Sequence, residues 1–135
     1  MRTAIGDQHV GSRRQGQHVR LHHVQVSCPP GGESAARWFY AGALGLPEVA
    51  KPAVLAARGG AWFRAPGVEV HVGVEADFAP ARKAHPAFAV TDIDAIAQRV
   101  GAAGHPVAWD GDLPGHRRFY TEDGAGNRVE ILQPI

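Results

Sequence analysis

Glu130 stands inside an otherwise apolar run, Val129-Glu-Ile-Leu132. A carboxylate in such a place is either a solvated side chain on the open face of a sheet or a group kept for chemistry. Three of the eight histidines have comparable settings: His23 in Leu21-His-His-Val24, His71 in Val70-His-Val72, and His85 in Ala84-His-Pro-Ala87. Singly, each is more often a surface or hydrogen-bonded core histidine than a ligand. Together, three imidazoles and one carboxylate form a donor set suited to a divalent first-row metal such as Fe, Ni, Zn, Mn or Co. Whether they converge depends on the elements that carry them.

Residues 20–27 alternate as a strand, with Val24 and Val26 on one face and Leu21, His23 and Gln25 on the other. His22 shares the valine face and is therefore not expected to be a ligand, unless a one-residue bulge reverses the parity. A helix over residues 33–44 follows, with Ala36, Phe39, Tyr40 and Ala43 at helical spacing and Gly45 and Pro47 at its end. Three short strands are predicted at 53–58, 61–64 and 68–75, the last with Val68, Val70, Val72 and Val74 opposite Glu69, His71 and Gly73. Residues 84–92 resume as a strand carrying His85. Asp92 then caps a helix with Ile93, Ile96, Ala97 and Val100 on one face, closed by Gly104 and Pro106. Short runs at 107–109, 119–121 and 129–132 complete the chain, the last two joined by the hairpin turn Asp123-Gly-Ala-Gly-Asn127. His105 and His116 fall in loops and are left unassigned.

The two halves repeat. His23-Val-Gln-Val26 matches His85-Pro-Ala-Phe88 at a separation of 62, and Val70-His-Val72 matches Val129-Glu-Ile131 at 59. Gly42-Ala-Leu-Gly-Leu-Pro47 matches Gly101-Ala-Ala-Gly-His-Pro106, again at 59. The unit is a βαβββ module used twice, about residues 20–76 and about 84–134, following a polar N-terminal tail over 1–19 that includes His9 and His18. Each module places one metal-capable residue on its first strand and one on its last, all four on the face opposite the better apolar residues. The fold class expected is α+β: a curved, cleft-bearing mixed sheet with helices on its convex face and His23, His71, His85 and Glu130 on the concave one.

At 135 residues the chain has the length of one domain with a real core. Charged residues make up 20% with a net charge of +1, which argues against nucleic acid and an acidic membrane and leaves a small molecule as the expected partner. The single cysteine, Cys28, excludes an intramolecular disulfide and fits a reducing compartment, so a cytoplasmic location is expected. No apolar run reaches the length of a membrane span, and no signal-peptide core is visible at the N-terminus.

Three passages resemble the vicinal oxygen chelate superfamily: Leu21-His-His-Val24, His85-Pro-Ala-Phe-Ala-Val-Thr-Asp-Ile-Asp94, and Phe119-Tyr-Thr-Glu-Asp-Gly-Ala-Gly-Asn-Arg-Val-Glu130. That superfamily includes glyoxalase I, extradiol dioxygenases, methylmalonyl-CoA epimerase, and fosfomycin and bleomycin resistance proteins. The resemblance implies a glyoxalase-like fold over residues 20–134, one divalent metal per site held by His23, His71, His85 and Glu130, and a homodimer. It departs from the family at Gly124, where proline is usual, and at His71, where glyoxalase I enzymes more often carry glutamate or glutamine. It implies a metal-dependent enzyme that chelates a substrate through two neighbouring oxygens. The chemistry would be of lyase/isomerase type, with Glu130 moving a proton, or of extradiol-dioxygenase type, with His23, His85 and Glu130 on Fe(II) and His71 nearby as acid or base. Arg118 and Tyr120, beside Glu130, are candidates to orient an anionic or phenolic substrate. The alternative is a metal-free small-molecule or antibiotic-binding protein of the bleomycin-resistance type.

Overall fold

The computed structural model describes residues 18–135; the tail expected over 1–19 therefore lies almost wholly outside the described residues. Among the described residues eight strands form two four-stranded mixed sheets with the same connectivity. In the first, the order is β1-β4-β3-β2, from β1 (Val24–Cys28), β2 (Glu48–Val49), β3 (Ala61–Ala65) and β4 (Val68–Val74). In the second it is β5-β8-β7-β6, from β5 (Ala87–Ala89), β6 (Ala108–Asp110), β7 (His116–Glu122) and β8 (Arg128–Pro134). Each module's first strand pairs parallel with its last, and the other pairings are antiparallel. The repeat read from the sequence is thus an architectural repeat, and the α+β class holds.

Helix α1 begins as α-helix over Glu33–Ala36 and continues as a π-helix over Arg37–Ala43. Its wider turn ends where Leu44 N–H donates to Phe39 C=O at 3.0 Å, five residues back. The face it buries is Ala36, Phe39, Tyr40 and Ala43, packed on Phe63, Val70 and Val72 of the first sheet. Helix α3 (Ile93–Ala102) is capped by Asp92, whose carboxylate accepts from Ala95 N–H at 3.1 Å, and it buries Ile93 and Val100. The two helices meet across the modules: Trp38 Nε1–H donates to Ala103 C=O at 3.2 Å and Arg99 to Gly42 C=O at 3.3 Å.

One expected strand is absent. Residues 53–58 were expected to be extended but instead form the single-turn helix α2 (Ala53–Ala56), started by Pro52, whose carbonyl accepts from Leu55 and Ala56. The alanines and Leu55 are good helix formers with only one β-branched residue, Val54, among them. The fourth strand of that sheet is the two-residue β2, paired with β3. Strands β1 and β5 are also shorter than the alternation suggested, so His23 and His85 lie just ahead of the first paired residues.

A buried polar knot ties the modules together. Asp123 accepts from Tyr40 O–H at 2.8 Å through Oδ2 and from the Ala125 and Asn127 backbones through Oδ1. Asn127 donates through Nδ2 to Ser27 C=O at 2.8 Å and to Asp123 at 3.0 Å, and accepts from Ala81 N–H at 3.0 Å. Tyr40 and Ser27 belong to the first module and the turn to the second. Burial, reinforced by the Asp123 charge and hydrogen bond, raises the Tyr40 hydroxyl well above its ordinary range. The same turn explains Gly124: a Cβ there would lie 2.7 Å from Ala35 Cβ and 2.8 Å from its carbonyl oxygen. Helix α1 occupies the space that a proline would need.

Candidate functional site

The register puts His71 beside Gln25 and opposite Trp62, and Glu130 beside Ala87 and opposite Tyr120. Because alternate residues share a face, both point away from the valine, phenylalanine and isoleucine layer beneath the helices. Both are nevertheless 6% exposed, so each is enclosed by neighbours on its own face.

In the first module the enclosure is aromatic. His71 lies between Trp62, 3.8 Å away and within 2° of parallel, and His23, 4.0 Å away at 21°. Its Nε2–H donates to Glu69 Oε2 at 2.8 Å, which leaves Nδ1 as its other donor atom. Glu69 is also held by Arg64 at 2.8 Å; that hydrogen bond, then the one from His71, lowers its carboxyl to about 2. His23 and His22 face one another through their Nδ1 atoms at 2.9 Å, leaving His23 Nε2.

In the second module the enclosure is ionic. His85 Nδ1–H donates to Lys83 C=O at 2.8 Å, and Nε2 faces Glu130 Oε1 at 2.9 Å. A backbone carbonyl on one ring nitrogen fixes the imidazole and presents the other, as metal-ligating histidines commonly require. The second Glu130 oxygen accepts from Arg118 Nη1 at 3.3 Å. Arg118 also binds Asp110 at 3.1 Å, and Asp110 is held below its usual range by the Asp112 N–H and by Arg118. Tyr120 lies edge-on to His85, with ring centroids 5.5 Å apart.

The four metal-capable residues therefore stand as two pairs, His23 with His71 and His85 with Glu130. Among the described residues no three His, Cys, Asp or Glu side chains converge within one chain as a bound metal would need. The donor types fit a divalent cation, but each pair supplies half a set. His23 and His85 do line a common cavity of about 740 Å³, with Glu69, Leu44, Phe88 and Ile96 among its walls. His22 lines it too. His105 stacks edge-to-face on Phe39 at 5.0 Å and His116 contacts Pro114 C=O at 3.0 Å, both away from the pairs. Glu69, Trp62 and Asp110, which hold the predicted residues in place, were not singled out from the sequence. Strand parity alone puts Glu69 and Trp62 on the His71 face.

No family model and no curated protein matches the chain. Solved structures do. A glyoxalase family protein of Bacillus anthracis is 42% identical, with a TM-score of 0.83 over 88% of this chain and 98% of that one. The chain belongs to the glyoxalase family, within the vicinal oxygen chelate superfamily. The fold is shared with the fosfomycin resistance protein FosX of Listeria monocytogenes at 15% identity, with a TM-score of 0.69 over 88% of this chain and 96% of that one. It is also shared with TnmS3, an antibiotic-binding protein of Streptomyces, at 23% identity, TM-score 0.62, over 87% of this chain and all of that one. No helix among the described residues is long and apolar enough to cross a membrane.

Proposed function

We propose that this protein is a metal-dependent enzyme of the glyoxalase family that binds a small, oxygen-rich substrate through two neighbouring oxygens. The observation that carries the reading is the His85–Glu130 pair: Nε2 and Oε1 are 2.9 Å apart, 45 residues apart in sequence, on a sheet face otherwise free to be apolar. His85, Glu130, His23 and His71 would hold the metal, which when bound would polarise the substrate oxygens as a Lewis acid. Glu130 is the residue to take and return a proton, as the one carboxylate of the four, held in place by His85 on Oε1 and Arg118 on Oε2. Tyr120 closes the side of the pair next to His85. The chain is proposed to work as a cytoplasmic homodimer; among the described residues strands β1 and β5 each have one edge without a partner strand, which leaves backbone groups for a second copy.

A second reading is supported by the cavity itself. At about 740 Å³ and with mostly aliphatic walls, it is of a size for a drug-like molecule, as an antibiotic-binding protein would need. The test is turnover. Protein loaded anaerobically with Fe(II) is screened against catechols for oxygen uptake, and protein loaded with Ni(II), Zn(II), Mn(II) or Co(II) against hemithioacetals and epoxides for isomerisation or addition. Turnover that falls about 10²- to 10⁴-fold in Glu130→Gln, the usual contribution of a positioned acid or base, supports the enzyme. No turnover with any metal, alongside tight binding of an apolar antibiotic, overturns it in favour of the binder.

A further inference from the structure

The two modules offer an internal comparison at the position two residues before each buried site residue. In the first module this is Glu69, in the second Arg128. Each stands directly across from a residue of opposite charge on the neighbouring strand, Arg64 opposite Glu69 and Glu122 opposite Arg128. The charges are reversed between modules, and so is the outcome. Arg64 and Glu69 close on one another at 2.8 Å, whereas Arg128 leaves Glu122 and lays its guanidinium over the Tyr120 ring, 3.9 Å from the centroid.

That position matters because of what the other arginine on the face is doing. Arg118 is occupied: its guanidinium is shared between Asp110 and Glu130, and its side chain is 16% exposed. It neutralises Glu130 and has little left for a ligand. Among the described residues Arg128 has no carboxylate, carbonyl or hydroxyl acceptor for its guanidinium, although it is half-buried and carries five N–H donors. It shares a face with Glu130, stacks on the ring that borders His85, and together with His85 lines a cavity of about 410 Å³. A planar guanidinium fixed on an aromatic ring, with its donor edge unspent, is a pre-organised receptor for an oxyanion.

We propose that Arg128, seated on Tyr120, recognises an anionic group of the ligand, a carboxylate or a phosphate-type group, beside the oxygens that His85 and Glu130 face. The substrate class is then a small organic acid bearing vicinal oxygens rather than a neutral diol or ketone. This deepens the enzyme reading, but the anion subsite can be tested without metal or turnover.

The experiment is calorimetric titration of the metal-free full-length protein with oxalate and, separately, inorganic phosphate, at fixed ionic strength. Wild type is compared with Arg128→Met, Arg128→Lys and Arg117→Met, with circular dichroism on each. Arg117, paired with Asp94 on the surface, controls for general positive charge. Expected are saturable binding by wild type, a loss of roughly 10- to 100-fold in Arg128→Met, a smaller loss in Arg128→Lys, which keeps the charge but not the fork, and no change in Arg117→Met. Preference for oxalate assigns a carboxylate, and preference for phosphate a tetrahedral group. Should Arg128→Met not fold, the lysine variant decides. The proposal is overturned if wild type binds neither anion, if the Arg128 variants match wild type, or if Arg117→Met loses as much. Metal content is measured on the same samples: an Arg128 effect in a protein that never takes up metal would leave the anion subsite standing and remove the metal-dependent reading.

Discussion

Tyr40→Phe removes one oxygen from the centre of the molecule and tests whether the two modules are locked together as described. The hydroxyl is fully buried and donates to Asp123 Oδ2 at 2.8 Å across the module boundary. A hydrogen bond to a charged group contributes about 1.5–3 kcal/mol. The deletion stays within that range because Asp123 Oδ2 keeps its bond from Asn127 at 3.0 Å. Asn127→Ala removes three side-chain bonds at once, two of them to the buried Asp123 and the half-buried Ser27 carbonyl, for roughly 3–5 kcal/mol. For a domain of this size about 1 kcal/mol corresponds to roughly 4 °C in Tm. The expected losses are therefore about 6–12 °C for Tyr40→Phe and about 12–20 °C for Asn127→Ala, read by thermal melting. The double variant should cost more than the sum, because only there does the buried Asp123 Oδ2 lose both of its donors. A Tyr40→Phe change below about 0.5 kcal/mol, or strict additivity with Asn127→Ala, would refute a coupled knot.

The same hydroxyl predicts an alkaline limit. Its raised value means that its contribution is complete below about pH 10 and declines above that, by up to about 1.4 kcal/mol per pH unit, as the unfolded chain ionises first. Stability measured from pH 9 to 11.5 should fall more steeply in wild type than in Tyr40→Phe, and parallel curves would contradict it. Gly124→Ala should cost about 1–3 kcal/mol by overpacking against helix α1, with Ala35→Gly restoring only part of it, since the Ala35 carbonyl remains 2.8 Å from the new Cβ. An unchanged denaturant midpoint for Gly124→Ala would show that the helix yields.

What could be read from the sequence was whatever depends on period. The separations of 62 and 59 between matching segments gave two modules, and the period of two along residues 68–75 and 129–132 placed His71 and Glu130 on the faces away from the core. Residues 53–58 misled because a short apolar run has no period of its own, and only the chain after Pro52 decides that it turns as helix. The π-helical widening of α1, the segment that buries Phe39, Tyr40 and Ala43, is recorded by no local pattern. Tyr40 and Asp123 were each legible, as a core aromatic and a turn residue, but their bond spans 83 residues. Arg118 and Tyr120 were picked because they flank Glu130. That Arg118 is taken up by Asp110 while Arg128 is unspent depends on side-chain choices among several charges on one face, which spacing does not determine. Likewise the order of the four ligand candidates was visible, but not that they stand as two pairs, one stacked and one hydrogen-bonded.

We propose that His23, His71, His85 and Glu130 together hold one metal ion. Elemental analysis of protein purified without added metal, and again after loading with each of Fe, Ni, Zn, Mn and Co, tests it most directly. About one ion per pair of half-sites is expected, lost in the His85→Ala, Glu130→Ala double variant while the fold is retained. No stoichiometric metal under any loading condition, or full retention in the double variant, would contradict it.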